Sequence, residues 1–258
     1  MNNSFNLKDK VVVVTGGSNG IGKAMVEDFA VEGAHVVFLD IDVKKGEETV
    51  QELKDKDIVV EFIPTDVSKN ESVKAAVDQI VSKYKVIDVL CNNAAVNIPG
   101  DAIELDEELW DKTMDVNVKS QFLFLKHVVP IMKANGGGSI INTASANSYV
   151  AEPRLISYVT SKGAIKMLTK SAALDYAPFN IRVNGICPGW VDTTFNDAHA
   201  ELFGGRDVVL KDLGSIQPIG RPIAPSEIAK VALFLASDLS SCITGSMILA
   251  DGGLTAGV

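Results

Sequence analysis

The 258-residue chain has enough apolar side chains for one large α/β domain or two small ones, since hydrophobic residues make up 47% of it. Charged residues make up 22%, and the formal net charge is −9. This balance argues against a nucleic-acid binder, which needs a positive face to displace counterions. No secretory leader pattern and no apolar stretch of membrane-spanning length is present, so we expect a cytoplasmic protein without a membrane partner.

Short runs rich in β-branched residues alternate with longer amphipathic stretches along the whole chain. The runs are nearly continuous in apolar residues, which is typical of strands covered on both faces. The predicted strands are Val11–Thr15, His35–Asp40, Val59–Pro64, Val86–Asn92, Ser139–Ser145, Ile181–Cys187 and Met247–Ala250. The predicted helices lie near 20–32, 44–56, 69–84, 104–135, 156–178 and 225–236. This alternation predicts an α/β Rossmann fold: a doubly wound parallel sheet of about seven strands flanked by helices.

No linker rich in Pro, Gly or Ser divides the chain, so we expect a single domain over residues 1–258. The least regular region covers about 193–225 and is rich in glycine and proline. A long irregular segment in a compact domain is often a functional lid. Because this one follows a predicted strand, a substrate lid is favoured over a loose surface insertion.

A glycine-rich turn, Gly16-Gly17-Ser18-Asn19-Gly20-Ile21-Gly22, joins the first predicted strand to the first helix. The N-terminus of a helix offers free N–H groups and a positive dipole end, which suit a pyrophosphate. Glycines let the backbone approach the phosphates without a Cβ clash. The spacing differs from the usual G-x-G-x-x-G, but the strand–turn–helix context favours a dinucleotide site.

Asp40 ends the second predicted strand, eighteen residues after Gly22. A carboxylate there can accept hydrogen bonds from the adenosine ribose and would repel a 2′-phosphate. No arginine or lysine stands at Gly17–Asn19 or Ile41–Asp42 to neutralise such a phosphate. We therefore expect NAD rather than NADP as the cofactor.

Tyr158 and Lys162 are four residues apart in a predicted helix and therefore share one face. A free tyrosine has a pKa of about 10, and a nearby ammonium favours the phenolate. Tyr158 could then exchange a proton with a substrate alcohol near neutral pH. Ser145 ends the fifth predicted strand, where ligands of such sheets bind, and its hydroxyl could orient the substrate oxygen.

These residues, with Asn92-Asn93-Ala94, Asn117 and Pro188-Gly189, resemble the motifs of the short-chain dehydrogenase/reductase family from about Leu7 to Gly253. The resemblance implies that Tyr158 is the acid/base, that Ser145 steadies the substrate oxygen, and that Lys162 binds the nicotinamide ribose. The implied catalytic set is Asn117, Ser145, Tyr158 and Lys162, with Asn117 holding a water that links Lys162 to solvent. The expected cofactor contacts are Gly16, Ser18, Asn19, Gly20, Ile21, Gly22, Asp40, Ile41, Asp66, Val67, Asn93, Ala94, Tyr158, Lys162, Pro188, Gly189, Val191 and Thr193.

Two residues depart from the family pattern. Ala95 follows the Asn-Asn-Ala motif where glycine is frequent, and Trp190 follows Pro188-Gly189 where smaller apolar residues are common. Trp190 either walls the substrate pocket or packs under the lid. The expected substrate contacts are Ser145, Asn147, Glu152, Tyr158 and Trp190.

The resulting hypothesis is an NAD-dependent oxidoreductase that interconverts a secondary alcohol and a ketone, with a sugar, cyclitol or polyol as substrate. The polar pocket candidates Asn97, Asn147, Glu152 and Asn196 favour a hydroxylated ligand. A ketoreductase of the acyl-carrier-protein type is the alternative within the family, and a non-catalytic dinucleotide-binding protein is the alternative outside enzymes. The family resemblance also implies a homotetramer that assembles through the helices near 104–135 and 156–178 and the C-terminal segment.

The three cysteines and three histidines are scattered through the sequence. Their spacing fits neither a disulfide framework nor a metal site, so no metal is expected. Structural or surface positions are predicted for Cys91, Cys187, Cys242, His35, His127 and His199.

Overall fold

The computed structural model describes residues 5–257, which fold around one parallel sheet. The strand order is β3-β2-β1-β4-β5-β6-β7, and every neighbouring pair is parallel. The strands are β1 (Val11–Thr15), β2 (His35–Asp40), β3 (Glu61–Pro64), β4 (Val89–Asn92), β5 (Gly138–Thr143), β6 (Ile181–Pro188) and β7 (Met247–Ala250). The predicted seven-stranded Rossmann fold is confirmed.

Helices cover both faces of this sheet. The helices of the described residues are α1 (Gly20–Val31), α2 (Val43–Lys54), α3 (Asn70–Tyr84), α4 (Glu107–Met114), α5 (Ser120–Ala134), α6 (Ile156–Tyr176), α7 (Asp197–Ala200), α8 (Arg206–Lys211), α9 (Leu213–Ile216) and α10 (Pro225–Ala236). Within residues 5–257 we find no helix with the length and apolarity needed to span a bilayer.

The five residues of β1 show why its apolar run is continuous. Successive side chains of a strand point to opposite faces. Val11 and Val13 enter the core cluster that contains residues of α3 and α5, whereas Val12 and Val14 enter the cluster that contains residues of α1 and α10. Since helices cover both faces, neither set of side chains meets water.

The long helix predicted over 104–135 is interrupted. α4 ends at Met114, a π-helical turn occupies Asp115–Lys119, and α5 begins at Ser120. A single π turn inside a helix is frequent at functional sites, and this one carries the fully buried Asn117. Periodicity could not reveal the turn, because inserting it leaves the apolar pattern on either side intact.

Several other predictions change at the ends of elements, and β4, for example, begins at Val89 instead of Val86. β3 begins at Glu61 instead of Val59, whose side chain is 85% exposed. β5 ends at Thr143, and Ser145 instead caps a 3₁₀ turn over Ala146–Ser148. Segment 193–225 is also more regular than predicted, since it contains α7, α8 and α9.

The strand order reverses direction between β1 and β4, so the chain leaves these two neighbours toward opposite sides of the sheet. Such a switch point opens a crevice at the carboxyl ends of the strands, where ligands bind in doubly wound sheets. The fold therefore places the glycine turn, the end of β2 and the end of β5 around one opening.

Candidate active site

A cavity of about 530 Å³ lies at the carboxyl ends of the central strands. It brings together residues that are distant in sequence, from the turn after β1 to the segment after β6. The predicted site residues that line it are Gly16, Asn19, Gly20, Ile21, Asp40, Ile41, Asp66, Val67, Asn93, Ala94, Ser145, Asn147, Glu152, Tyr158, Lys162, Pro188, Gly189, Trp190, Val191 and Thr193. The structure places Ser18, Gly22 and Asn117 behind this lining.

The position of Gly22 shows a packing role, and its expected approach to a pyrophosphate stays a prediction. A Cβ at this position would lie 1.9 Å from the carbonyl oxygen of Gly16 and 2.6 Å from Nδ2 of Asn93. Only glycine lets α1 sit this close to the end of β1. Ser18 also supports the wall, since its N–H donates to the carboxylate of Asp40 at 3.1 Å.

The glycine turn fits a phosphate-bearing ligand. Gly16 and Gly20 have φ angles of +65° and +52°, in the left-handed region that favours glycine. Asn19 caps α1 by accepting a hydrogen bond from the N–H of Gly20 at 2.8 Å. The first turn of α1 has no acidic side chain, so the positive end of the helix dipole is available to an anion.

Hydrogen bonds tie the ends of β1 and β4 together beside this turn. The hydroxyl of Thr15 accepts from the N–H of Asn93 at 2.9 Å and from the N–H of Ala94 at 3.0 Å. The Asn93 amide donates to the carbonyl oxygens of Thr15 at 3.2 Å and Gly16 at 3.3 Å. Thr15 belongs to the sequence motif that contains the glycines, but no role was predicted for its side chain.

The carboxylate of Asp40 is held in place at the end of β2. Its two oxygens accept hydrogen bonds from the N–H groups of Ser18 and Asp42, each at 3.1 Å. Among the described residues that line the cavity, the lysines are Lys112 on α4 and Lys162 on α6, and arginine is absent. The lining thus offers a fixed carboxylate for ribose hydroxyls at the end of β2.

The first turns of α6 bring the proton-transfer residues together. Tyr158 is 7% exposed and Lys162 is 2% exposed. The ammonium of Lys162 donates to the carbonyl oxygen of Thr143 at 2.9 Å and lies 5.4 Å from the centre of the Tyr158 ring. The Ser145 hydroxyl donates to Oδ1 of Asn147 at 3.1 Å and lies close enough to the phenol of Tyr158 to influence its pKa. Tyr158 and Ser145 could therefore act on one substrate oxygen, with the Lys162 ammonium nearby.

Burial controls the titration of this group. It raises the pKa of Tyr158 well above its ordinary value, while the nearby Ser145 hydroxyl lowers that pKa and the carboxylate of Glu152 raises it further. Burial also lowers the pKa of Lys162 to about 8. Sequence reasoning expected the neighbouring ammonium to lower the phenol pKa; desolvation is the largest influence on the pKa of both groups in this structure, and the expected effect of the ammonium stays a prediction.

The buried side chain of Asn117 supports the site from beneath the cavity lining. Its Oδ1 accepts from the N–H of Val96 at 2.8 Å, and its Nδ2 donates to the carbonyl oxygen of Val96 and to Oγ of Ser161, each at 3.0 Å. The side chain therefore ties the chain after β4 to α6. The expected water relay from Asn117 to Lys162 stays a prediction.

Segment 193–225 forms one wall of the cavity through Thr193, Phe195 and His199, among others. Trp190 lines the cavity and also packs against Ala200 and Leu213 of that segment, while its role toward a substrate stays a prediction. Phe195 places its ring 5.9 Å from that of Tyr158.

His199 also lines the cavity, although its burial and its contact with the carbonyl oxygen of Pro153 fit the structural position predicted for it. Its location inside the predicted lid was the signal in the sequence that could have identified it.

Comparisons with known proteins agree with this geometry. A family model described as enoyl-(acyl carrier protein) reductase matches residues 16–255. The NAD-dependent glycerol dehydrogenase of Listeria innocua is 40% identical over 97% of this chain and 96% of its own length. A 3-oxoacyl-[acyl-carrier-protein] reductase of Thermotoga maritima is 37% identical over 96% of this chain and 98% of its own length.

A solved structure gives the same fold. The gluconate 5-dehydrogenase of Burkholderia cenocepacia, in complex with NADP and tartrate, superposes with a TM-score of 0.91 at 30% identity, covering 99% of each chain. The chain belongs to the short-chain dehydrogenase/reductase family and is an oxidoreductase.

Proposed function

We propose that this protein is an NAD-dependent dehydrogenase that interconverts a secondary alcohol and a ketone, with a sugar, cyclitol or polyol as substrate. The observation that carries the proposal is the meeting of Ser145, Tyr158 and Lys162 in the cavity that Asp40 also lines. The glycerol dehydrogenase among its relatives supports a polyol.

The cavity lining has groups for each part of a dinucleotide. The turn at Gly16 and Gly20 and the start of α1 would hold the pyrophosphate, and Asp40 would accept from the adenosine ribose. Asp66 and Val67 would contact the adenine. Residues 188–193 and Lys162 would hold the nicotinamide and its ribose. When bound, the nicotinamide supplies the hydride acceptor or donor.

The protein's own residues would move the proton. In alcohol oxidation the phenolate of Tyr158 takes the hydroxyl proton while Ser145 holds the substrate oxygen, and the hydride leaves the adjacent carbon. Lys162 stabilises the phenolate by its charge, and its pKa of about 8 keeps much of it protonated near neutral pH. Because the site is buried, this attraction is stronger than it would be in water.

We also propose that segment 193–225 is a substrate lid. Arg206 organises it: Nη1 donates to the carbonyl oxygen of Thr193 at 2.6 Å and to Asp197 at 2.7 Å, and Nη2 pairs with Asp192. At its far end Gln217 accepts from the N–H of Trp190 at 2.7 Å. These contacts hold the short helices of the segment together. The helices could therefore move as a group without disturbing the sheet.

A homotetramer in the cytoplasm is the assembly we propose. The side chains of Phe122 on α5 and of Met167 and Leu174 on α6 are between 53% and 80% exposed in the single chain. Burying such helix faces between identical subunits is a common use of symmetry. Analytical ultracentrifugation should give about four times the chain mass of 27.5 kDa; a monomer would contradict the proposal.

The first test follows NADH formation by absorbance with NAD⁺ or NADP⁺ and a panel of sugars, cyclitols, polyols and simple secondary alcohols. Tyr158→Phe should lower kcat by roughly 10²–10⁴-fold, the usual share of acid–base catalysis, while NADH still binds. Tyr176→Phe is the matched control, because Tyr176 ends the same helix and lies outside the cavity lining.

The other outcomes discriminate between the alternatives. A preference for NADP⁺ would contradict the argument from Asp40 and favour the carrier-protein ketoreductase, which one relative supports. NADH binding without turnover of any alcohol or ketone would favour a non-catalytic dinucleotide-binding protein.

A further inference from the structure

Two titratable side chains from different elements face each other at the substrate end of the cavity. Glu152 lies in the loop after β5, and His199 lies on α7 and is only 6% exposed. Nδ1 of His199 is 3.7 Å from Oε2 of Glu152, and its Nε2 is 3.2 Å from the carbonyl oxygen of Pro153. Both side chains line the cavity.

This geometry leaves hydrogen-bonding capacity for a ligand. A separation of 3.7 Å is too long for a hydrogen bond, so the carboxylate and the imidazole do not satisfy each other. If Nε2 of His199 carries the proton and donates to Pro153, Nδ1 is an acceptor. Glu152 and His199 then present acceptors to the hydroxyl groups of a bound molecule.

Neighbouring amides extend the same polar surface. Nδ2 of Asn97 donates to Oδ1 of Asn196 at 3.3 Å, which joins the chain after β4 to the lid. Oδ1 of Asn97 is buried without a hydrogen-bond partner among the described residues. A buried acceptor of this kind costs free energy unless a donor reaches it, so it favours a hydroxylated ligand.

The charged groups around the substrate end of the cavity disfavour the binding of an anionic ligand. Glu152 lies within electrostatic reach of Tyr158, whose pKa its carboxylate raises. Arg154, two residues along the chain, is outside the lining and pairs with Glu104. Of the two lysines in the lining, Lys162 is engaged with Thr143, and Lys112 is exposed to solvent, which screens it.

We propose that Glu152 and His199 form a hydroxyl-binding site that selects neutral polyhydroxylated alcohols and rejects substrates carrying a carboxylate or phosphate. The proposal rests on the dehydrogenase function proposed above. Glu152 accepts a hydrogen bond from a substrate hydroxyl beyond the reacting one, and Nδ1 of His199 accepts from a second.

The test compares kcat/KM for neutral polyols and for the corresponding sugar acids, with NAD⁺ and the purified full-length protein. Glu152→Gln should lower the ratio of neutral to acidic activity by at least about tenfold, equivalent to 1.4 kcal/mol, chiefly through KM. His199→Gln should raise KM for the neutral polyols without improving use of the acids. Glu201→Gln, a neighbouring carboxylate outside the lining, should leave the ratio unchanged.

Two further readouts distinguish recognition from a structural role. In the Tyr158→Phe background with NAD⁺, calorimetry should show that Glu152→Gln weakens binding of the neutral polyol. In the active enzyme, the same substitution should move the alkaline-rising limb of kcat/KM to lower pH, because a carboxylate that raises the phenol pKa is gone. The charged or titratable groups that act on this phenol are Lys162, Glu152 and Cys187.

The outcomes separate this proposal from the one on which it rests. Wild-type activity with a ratio that Glu152→Gln leaves unchanged would overturn the hydroxyl-binding site alone. Wild-type preference for sugar acids would also overturn it. Inactivity of the wild type toward every alcohol and ketone would overturn the dehydrogenase function, and the selection site with it.

Discussion

The two walls of the cavity are held in different ways. The cofactor wall consists of β1, β4 and the start of α1, where the backbone is tied by Thr15 and a Cβ on Gly22 would overlap Gly16. The proposed substrate wall is segment 193–225, which is held by a small apolar cluster around Trp190 and by the ion pairs of Arg206. Backbone packing fixes the first wall, whereas a few side chains fix the second.

The difference between the walls suits two different tasks, namely binding of a cofactor that does not change and choice of a substrate that does. Close backbone packing tolerates few substitutions, which suits binding of a ligand whose phosphates and ribose do not change. Short helices held by side chains can be rebuilt with little cost to the core, which suits the choice of substrate. The proton-transfer residues on α6 lie between the two walls.

The largest effect is expected where the cofactor wall is tightest. Gly22→Ala would place a methyl group 1.9 Å from the Gly16 carbonyl oxygen, so the free energy of unfolding should fall by about 3 kcal/mol, and NADH binding should weaken with it. Gly163→Ala is the control, because nothing lies within 4 Å of a Cβ there and alanine favours the helix. Equal stability of both variants would contradict the tight-packing argument.

The next largest effect is expected in the pH dependence of stability that the buried ammonium of Lys162 causes. This ammonium lies between the two walls. Because the pKa of Lys162 in the folded state is about 8, below its ordinary 10.5, folding disfavours the charged form. Stability should therefore rise with pH between about 8 and 10.5, and wild type should gain about 2 kcal/mol over Lys162→Met from pH 7 to pH 10.

Denaturant unfolding at the two pH values measures this gain. Lys170→Met, an exposed position on the same helix, should show the pH dependence of wild type. An equal change in the free energy of unfolding with pH for wild type and Lys162→Met would show that burial does not perturb the pKa of this lysine.

A smaller effect is expected at the ribose end of the cofactor wall. Asp40→Ser removes the carboxylate that would repel a 2′-phosphate, so the dissociation constant for NADP⁺ should fall by about tenfold, or 1.4 kcal/mol. The dissociation constant for NAD⁺ should rise because the ribose loses an acceptor. Calorimetric titration of NAD⁺ and NADP⁺ measures both changes, and an unaltered preference would remove Asp40 from cofactor selection.

The smallest effect is expected in the substrate wall. Arg206→Met removes partly exposed ion pairs, which contribute little each, so KM for the alcohol should rise by about threefold to fivefold. NADH binding should weaken by less than KM rises, because Arg206 holds the carbonyl oxygen of Thr193 but contacts neither the glycine turn nor Asp40. Arg221→Met is the control, because Arg221 pairs with Glu227 at the start of α10. A comparable loss of NADH binding in Arg206→Met would show that the walls are not independent.

The sequence alone determined the features that depend on short segments. Strand–helix alternation predicted the doubly wound sheet, and the glycine turn, Asp40, Tyr158 and Lys162 were identified because each belongs to a local pattern in a strand, a turn or a helix. Backbone hydrogen bonding in helices, strands and turns repeats over a few residues. These local patterns can therefore be recognised in the sequence without knowledge of the tertiary contacts.

Tertiary structure decided the features that depend on distant residues. It placed Gly22 against Gly16, held Asn117 in a π turn, and lowered the pKa of Lys162 by burial. It also brought His199 opposite Glu152, a pairing that no local pattern indicates because the two lie on separate segments. Burial and contacts across the cavity arise only when helices and loops pack together, so the sequence predicted the chemistry of the site but not its electrostatics or its substrate wall.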